Sequence, residues 1–426
     1  MSSCRLAVVS RSSCFAAAHL SGLSHTRRSF SLTTAISFSP TNRPLLKASG
    51  RSFVTTSRNL DRGPLFEKAK TMDPKLYTKS AAPSSAKWPA PSPSASILVI
   101  SPTNKVLLLK RVKTASSFAS AHVFPGGNVD EFHDGVTAKD EHLDNIVYRN
   151  AAIRETFEET GILLSKTSVE VSDEVRDKGR KNVYNRQITF GDWVKNHGGV
   201  PDTDSLIPFT RWITPPPAKK RFTTQMYLYF LPVSSANSFS EAPSKIHTPT
   251  PEGEQEKEHT SAEWEYPLTW LSKAQSGEIM LYPPQFYLLN LLSPFFNDAN
   301  KDYTTQRKGL GEFLDKVPTS SGEYDSLDGK FKPKVSNTHQ IAWKDKVISP
   351  SVMFAPGQLY KEETVLSLES PGPELGAQKG NTRGGDAERV VVVEFERKTG
   401  PRGIKIVDRR EVWRLWEEKE KKGAKI

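Results

Sequence analysis

Cysteine is almost absent from this chain of 426 residues, and so are long apolar runs. The two cysteines, Cys4 and Cys14, both lie within the first 60 residues. Beyond that point the chain cannot form disulfides, thiolate zinc sites or a cysteine nucleophile. No apolar run approaches the roughly 20 residues that a helix needs to cross a bilayer, so the sequence predicts no membrane span.

Acidic residues are missing from residues 1–60, which contain eight Lys or Arg, seven of them Arg, and many Ser and Thr. This composition is typical of a mitochondrial transit peptide, whereas a secretory signal needs a compact apolar core. A disordered basic tail is the alternative interpretation. Ala424-Lys425-Ile426 is a conservative variant of the peroxisomal address Ser-Lys-Leu. We expect the mitochondrial matrix, with the peroxisome as the alternative if translation starts at Met72.

Most of the net positive charge of the chain lies in the same segment, residues 1–60. The chain has 59 Lys and Arg and a net charge of +11, but residues after position 60 contain 51 basic against 48 acidic residues. No basic stripe interleaved with aromatic residues occurs in this part, so the sequence does not support nucleic-acid binding.

Residues 154–162, Arg-Glu-Thr-Phe-Glu-Glu-Thr-Gly-Ile, are the most informative stretch. At 100° per residue, the three glutamates fall within an arc of about 100° on one side of the predicted helix. The opposite side is apolar and comprises Ile146, Ile153 and Phe157. Such carboxylates repel one another by roughly 1 kcal/mol per pair in water. A divalent cation such as Mg²⁺ relieves that repulsion, although an acidic helix face is also compatible with a solvated surface.

The surroundings of this helix favour the metal interpretation. A strand end and turn, His122-Val123-Phe124-Pro125-Gly126-Gly127, precede it, and Gly161 stands where a C-terminal cap belongs. Together these segments resemble the Nudix box, a Gly-Gly loop followed by a helix with Arg-Glu-x-x-Glu-Glu-x-Gly. The helix half matches at every defining position.

The match has one departure. The box normally has a glutamate six residues after the second glycine, where this chain has His133, and twenty residues then separate His133 from Arg154. Three acids are open as the partner of Arg154: Asp130, Glu131 and Asp134. We expect the insert, roughly residues 134–145, to loop out before the helix, with Asp144 as the N-cap.

The long insert resembles the coenzyme A diphosphatase branch of the family. Two further segments are similar to that branch, and the resemblance covers roughly residues 90–300. The first is Trp212-Ile213-Thr214-Pro215 followed by Arg221-Phe222-Thr223-Thr224, and the second is Pro283-Pro284-Gln285-Phe286-Tyr287.

The resemblance implies hydrolysis of a phosphoanhydride in a nucleoside diphosphate linked to another moiety. For this branch the substrate is coenzyme A or acyl-coenzyme A, and the products are adenosine 3′,5′-bisphosphate and (acyl-)phosphopantetheine. Hydrolysis of ADP-ribose or a nucleotide sugar is one alternative. A Nudix domain that binds a nucleotide without cleaving it is another.

The resemblance also implies the site residues. Mg²⁺ or Mn²⁺ would be bound by Glu155, Glu158, Glu159 and the Gly127 carbonyl, and Arg154 would orient the glutamates. The catalytic set is Glu155, Glu159, Arg154 and Glu258. Glu258, on a predicted strand, is either base or ligand, or part of a solvated acidic run.

Substrate phosphate requires basic groups, and the candidates are Arg221, Lys220 and Arg111, with Lys219 and Lys113 less favoured. His122 and His133 are expected to be packing or surface residues. The substrate is expected to be a small-molecule nucleotide, and the sequence leaves the oligomeric state open.

The fold implied is α+β, with a Nudix-type mixed β-sheet between helices (α/β/α). We expect a linker at 61–94, the Nudix domain at 95–300, and a polar, partly disordered extension at 301–426 with isolated strands. Within that extension, Val390–Phe395 and Gly403–Val407 are predicted to pair as a hairpin, and residues 411–422 to form a terminal helix.

Overall fold

The computed structural model describes residues 88–113, 118–137, 142–216, 218–233, 259–296, 302–326, 333–376, 383–396 and 400–423. The predicted transit peptide, Glu258 and Ala424-Lys425-Ile426 lie outside these ranges, so localisation stays a prediction. Within the ranges, no helix has the length and apolar character required to cross a membrane.

The first half of the described chain contains alternating strands and helices. In order these are β1 (Ser92–Ile100), β2 (Val106–Arg111), β3 (His122–Val123), β4 (Gly126–Asn128), α1 (Ile146–Thr160), α2 (Asp173–Tyr184), α3 (Phe190–Asn196), β5 (Ile207–Ile213) and β6 (Phe222–Phe230). β1 begins three residues inside the predicted linker.

The second half continues in the same way. Its elements are β7 (His259–Glu265), α4 (Pro267–Gln275), α5 (Pro283–Leu292), α6 (Tyr303–Asp315), β8 (Val347–Ile348), β9 (Ser351–Phe354), β10 (Thr364–Leu368), α7 (Pro373–Gly376), β11 (Asp386–Glu396), β12 (Gly400–Asp408) and α8 (Arg409–Gly423).

A mixed eight-stranded sheet organises the described chain. Its order is β3-β2-β1-β6-β5-β8, with β4 also pairing with β1 and β7 with β2. β1 is parallel to β6 and β5 is parallel to β8, whereas the other pairs are antiparallel. The predicted α+β class with a mixed sheet is therefore confirmed.

β1 is buried on both faces because successive side chains of a strand point in opposite directions. Leu98 and Ile100 pack in one apolar cluster with side chains of α4, α5 and α6. Ile97 and Val99 pack in a second cluster with side chains of α1 and α3. The sheet thus lies between helices, as predicted.

Helix α1 has a cap at each end. The Asn145 side chain accepts hydrogen bonds from the Val147 and Tyr148 amides, and Gly161 adopts the left-handed conformation at φ 71°. The prediction of Asp144 as N-cap is wrong, because its carboxylate binds Arg149 and the Tyr227 hydroxyl instead.

The apolar side of α1 is confirmed except at its first residue. Ile153 and Phe157 are fully buried, whereas Ile146 is 55% exposed and lies outside the apolar clusters. Helix α3 begins at Phe190, because the Thr189 side chain caps it by accepting from the Asp192 amide.

The part after residue 300 differs from the prediction of isolated strands. β9 to β12 form a second, antiparallel sheet in the order β12-β11-β10-β9, and β11 and β12 are the predicted hairpin. Leu366 and Val391 of this sheet belong to the same apolar cluster as Leu98. A polar sequence with few long apolar runs concealed this shared core.

The terminal helix predicted at 411–422 is present as α8. Its two indoles, Trp413 and Trp416, pack on β9, since the centroid of the Phe354 ring lies 5.0 Å from that of Trp413 and 4.8 Å from that of Trp416.

Candidate active site

The Gly-Gly turn lies directly against the acidic side of α1. Gly126 and Gly127 pair with Ser96 and Ala95 of β1. A methyl group on Gly127 would lie 2.5 Å from Oε1 of Glu155, and one on Gly126 would lie 2.4 Å from the Ala95 carbonyl oxygen. Gly126 requires glycine, because its φ is 153° and a side chain would collide with the backbone of β1, whereas a side chain at Gly127 would displace the Glu155 carboxylate.

Arg154 is the centre of the site, and Asp134 is its acidic partner. The guanidinium donates from Nε to Asp134 Oδ1 at 3.0 Å and from Nη2 to Oδ2 at 2.8 Å. Nη2 also donates to the Asn128 carbonyl at 2.8 Å. This geometry decides among the three acids left open by the sequence, since Asp130 instead binds Arg186 and Glu131 is exposed.

The remaining nitrogen of Arg154 links two of the helix glutamates. Nη1 donates to Glu155 Oε1 at 2.9 Å and to Glu158 Oε1 at 3.0 Å. All five N–H donors of the guanidinium are therefore used. Burial alone would lower the pKa of Arg154, but the charges of Glu155, Asp134 and Glu158 raise it well above its usual range.

Negative charge exceeds positive charge around this arginine. Burial raises the pKa of Glu158 to about 8, and the neighbouring charge of Glu155 adds to this effect, while Arg154 opposes it. One guanidinium therefore does not neutralise the carboxylates that surround it.

A second arginine, Arg180 of α2, donates from Nε and Nη2 to the Glu158 backbone carbonyl at 3.0 and 2.7 Å.

The third glutamate has a different environment. Glu159 Oε2 accepts the Gly126 amide at 2.9 Å, and Oε1 lies 3.6 Å from Nε2 of His259. The same Nε2 lies 3.4 Å from Nη1 of Arg111. Burial, followed by the charge of Arg111, lowers the pKa of His259 to about 3, so the imidazole is neutral.

The donor chemistry of this site fits a hard divalent cation. Helix α1 carries Glu155, Glu158 and Glu159 beside the Gly-Gly turn, and carboxylate and carbonyl oxygens are the ligands that Mg²⁺ prefers. Within the described ranges, no three His, Cys, Asp or Glu side chains already converge as a metal-ligand group. Glu155 and Glu158 turn toward Arg154 instead, and Glu159 toward Gly126, so their roles as ligands are proposals.

The structure separates the three predicted substrate-binding residues. Arg111 lies beside His259 and close to Glu159, and Lys220 is exposed on the β5–β6 turn. Arg221, in contrast, is buried and binds Glu374 at 2.5 Å. It also donates to the Thr214 carbonyl at 2.9 Å. These contacts fix the β5–β6 turn, and the substrate-binding role of Arg221 stays a prediction.

His259 and Arg180 were missed by the sequence reasoning. His259 follows the predicted Glu258, and its proximity to Arg111 depends on the pairing of β7 with β2. Arg180 lies on α2, a charged helix in which Gly179, Arg180 and Val183 are the buried residues. Such a helix has almost no apolar stripe to reveal it.

Comparison with known families agrees with the geometry. A family model described as the NUDT19 Nudix domain matches residues 132–292, which include α1 and the segment from β5 to α5. Residues 132–292 therefore belong to the Nudix hydrolase superfamily.

Two curated proteins are similar to this chain over part of their length. A nudix hydrolase of Caenorhabditis elegans is 30% identical over 199 residues, covering 46% of this chain and 58% of the relative. The acyl-coenzyme A diphosphatase NUDT19 of Xenopus laevis is 28% identical over 251 residues, covering 46% of this chain and 62% of the relative. The chain thus spans less than two thirds of the length of these relatives.

Among solved structures, a NUDIX hydrolase from Alicyclobacillus acidocaldarius is similar to this chain at 22% identity and a TM-score of 0.37. The alignment covers 48% of this chain and 91% of that structure.

Proposed function

We propose that this protein is a Nudix hydrolase, and that it acts as a divalent-metal-dependent diphosphatase of coenzyme A or acyl-coenzyme A. The products would be adenosine 3′,5′-bisphosphate and (acyl-)phosphopantetheine. The observation that carries the proposal is the excess of carboxylates around Arg154, beside the Gly-Gly turn. The substrate is favoured by the matched NUDT19 domain and by the printed activity of the Xenopus laevis relative.

The residues of α1 and β4 would hold the ion. Glu155, Glu158, Glu159 and the Gly127 carbonyl would bind Mg²⁺ or Mn²⁺. When bound, such an ion neutralises pyrophosphate and lowers the pKa of water. Arg154 does not contact substrate in this scheme, because all five of its donors bind protein oxygens. It orients Glu155 and Glu158 and is itself fixed by Asp134.

The reaction exchanges one bond for another. The oxygen of a water molecule forms a bond to phosphorus of the diphosphate, and the bridging P–O bond breaks. A carboxylate accepts the proton that the water loses. Glu258, adjacent to His259 in the chain but outside the described residues, keeps its proposed role as base or ligand. The low pKa of His259 makes it a poor base at neutral pH.

Substrate phosphate would be recognised mainly by Arg111. This guanidinium lies at the end of β2, with Nη1 3.4 Å from Nε2 of His259. A permanently charged, planar donor group suits phosphate oxygens. Lys220 is a second proposed contact, since it is exposed on the β5–β6 turn.

A product-resolved assay tests the proposal. The purified protein is incubated with Mg²⁺ or Mn²⁺ and with coenzyme A, an acyl-coenzyme A, ADP-ribose or a dinucleotide, and the products are separated. We expect adenosine 3′,5′-bisphosphate from the first two substrates at the highest kcat/KM. Preferred cleavage of ADP-ribose would replace the proposed substrate. Absence of turnover with every substrate and both ions would indicate a binding module.

A further inference from the structure

His133 stands where the Nudix box normally has a glutamate, and the next residue, Asp134, binds Arg154 in its place. The half-buried imidazole of His133 has a different partner. Its Nδ1 atom accepts a hydrogen bond from the backbone amide of Phe190, and the two nitrogen atoms are 3.2 Å apart. A side chain that was expected to be a packing or surface residue therefore bonds to the first residue of α3.

This hydrogen bond requires a neutral imidazole. A backbone N–H group only donates, so Nδ1 of His133 is the acceptor and the ring proton lies on Nε2. The amide of Phe190 is one of those at the start of a helix that have no acceptor within the helix. His133 supplies that acceptor from a distant part of the chain. Burial, and then the charge of Arg154, lowers the pKa of His133, which agrees with a neutral ring.

Residues 130–134 form a compact turn, named here the Asp134 turn. The Asp134 amide donates to the Asp130 carbonyl at 2.8 Å, and the Asp130 amide donates to Oδ2 of Asp134 at 2.9 Å. Arg186, from the connection between α2 and α3, binds Oδ1 of Asp130 at 2.9 Å. Its guanidinium carbon lies 5.0 Å from the centroid of the Phe132 ring. The residues just before α3 therefore hold the same turn as its first amide.

The Asp134 turn is attached to helix α1 along two routes. The direct route is the bidentate contact of Asp134 with Arg154. The indirect route passes through His133, Phe190 and Phe157, since the rings of Phe190 and Phe157 pack with their centroids 5.6 Å apart. Because both routes end on α1, the second fixes the place from which Asp134 reaches Arg154.

We propose that His133 is a positioning residue that holds Asp134 in register with Arg154. Without an acceptor at Nδ1, the Asp134 turn would shift relative to α1, and the bidentate contact would weaken. Arg154 would then orient Glu155 and Glu158 less precisely, which lowers metal affinity and kcat. The effect on metal and kcat rests on the proposed function, whereas the effect on the contact between Asp134 and Arg154 does not.

Two amide substitutions separate the position of the acceptor from the mere presence of a polar side chain. In His133→Asn the amide oxygen lies near the place of Nδ1, whereas in His133→Gln it lies one bond farther from the backbone. We expect His133→Gln to lower kcat and Mn²⁺ affinity, measured by electron paramagnetic resonance, about 3- to 10-fold with little change in KM, as for one lost hydrogen bond. His133→Asn should retain most of both. Equal values in the two variants would overturn the inference.

A double-mutant cycle decides whether His133 acts through Asp134. Effects of residues that act through one shared contact are not additive. The variant with both His133→Gln and Asp134→Asn should therefore bind Mn²⁺ little more weakly than Asp134→Asn alone, and fully additive losses would contradict the proposal.

His197→Leu is the matched control. This histidine is also half-buried and also bonds to α3, since its Nδ1 lies 2.7 Å from the Trp193 carbonyl oxygen. We expect its loss to leave Mn²⁺ affinity unchanged, with the unfolding temperature recorded for every variant. A loss of affinity as large as that of His133→Gln would show that His133 only stabilises α3, and the proposal would be wrong.

A measurement without metal or substrate separates this inference from the proposed function. The Nε–H proton of Arg154 is bound by Oδ1 of Asp134, and NMR measures how fast it exchanges with water. We expect exchange about 3- to 10-fold faster in His133→Gln, as for one lost hydrogen bond, and unchanged in His133→Asn. Unchanged exchange in His133→Gln would overturn the inference. If exchange changes as expected but the wild type hydrolyses no coenzyme A derivative, the role of His133 stands and the proposed substrate is wrong.

Discussion

Arg154 and Arg409 are both buried arginines bound to carboxylates, yet their surroundings differ in charge balance. Arg154 lies among Asp134, Glu155 and Glu158. Arg409 forms an ion pair with Glu369, whose other contacts are the Ser367 hydroxyl and the Lys334 amide. The first site has more acid than base, whereas in the second a single carboxylate is paired with a single guanidinium.

The same contrast appears in carboxyl pKa values. Burial would raise the pKa of Asp386, but Arg389, the Tyr287 hydroxyl and Lys346 lower it below its usual value. The pKa of Glu158 moves the other way, to about 8. Balanced burial of charge therefore characterises the second sheet, and excess negative charge characterises the Gly-Gly turn. An excess that persists in a folded chain indicates a place for a cation.

The largest effect is expected at the balanced pair. Arg409→Met leaves the Glu369 carboxylate buried without its cation, and such losses cost about 3–5 kcal/mol. The free energy of unfolding from urea denaturation measures this effect. Arg410→Met, at an exposed position on the same helix, is the control and should change stability little. If Arg409→Met and Arg410→Met had the same free energy of unfolding, the buried pair of Arg409 and Glu369 would not be the stabilising, balanced pair that contrasts with the acid-rich site around Arg154.

The next effect concerns catalysis at the acid-rich site. Glu159→Gln keeps the size of the side chain but removes the charge, and we expect kcat to fall about 100-fold or more because cation binding is lost. The unfolding temperature should change little. Chelation of the metal should have the same effect on the wild type. Glu174→Gln, an exposed position on α2, is the control, and full activity of Glu159→Gln would refute the ligand assignment.

A smaller loss is expected when the support of Arg154 is weakened. Asp134→Asn removes a charge and one acceptor from the bidentate pair, so Arg154 orients Glu155 and Glu158 less well. We expect kcat/KM and Mn²⁺ affinity to fall about 10- to 100-fold. Glu131→Gln should have no such effect. A larger loss in Glu131→Gln than in Asp134→Asn would show that Asp134 is not the functional partner of Arg154.

The last prediction concerns the pH dependence of stability. The raised pKa of Glu158 means that the metal-free native protein keeps this proton while the unfolded chain releases it near pH 4.5. Stability should therefore fall as the pH rises from about 4.5 to about 8. Glu158→Gln should reduce this slope, as measured by unfolding in the presence of a chelator. An unchanged slope would show that the pKa of Glu158 is not raised in the native protein.

The sequence predicted the acidic helix well because spacing alone determines which residues share a helix face. It could not select Asp134 from Asp130 and Glu131, which are chemically similar and adjacent. The choice depends on a local turn, in which the Asp134 amide donates to the Asp130 carbonyl and the Asp134 carboxylate accepts the Asp130 amide.

Long-range pairing accounts for most of what was missed. His259 approaches Glu159 only because β7 pairs with β2, which is about 150 residues earlier in the chain. The second sheet was missed for a related reason. Its hairpin of β11 and β12 is formed by neighbouring segments of the chain and was predicted. β9 and β10 are short, so their sequences do not differ from those of loops, and only the pairing in the sheet shows that they are strands.

Strand β8 has a consequence for any shortened form of this protein. Its two residues pair in parallel with Arg211 and Trp212 of β5, and β5 would otherwise be the last strand on that side of the sheet. Ending the chain at residue 292, where the family match stops, would leave β5 with bare amide and carbonyl groups. Exposed strand edges recruit strands from other molecules. A chain shortened in this way should therefore self-associate, and its solubility would depend on residues far from the glutamates.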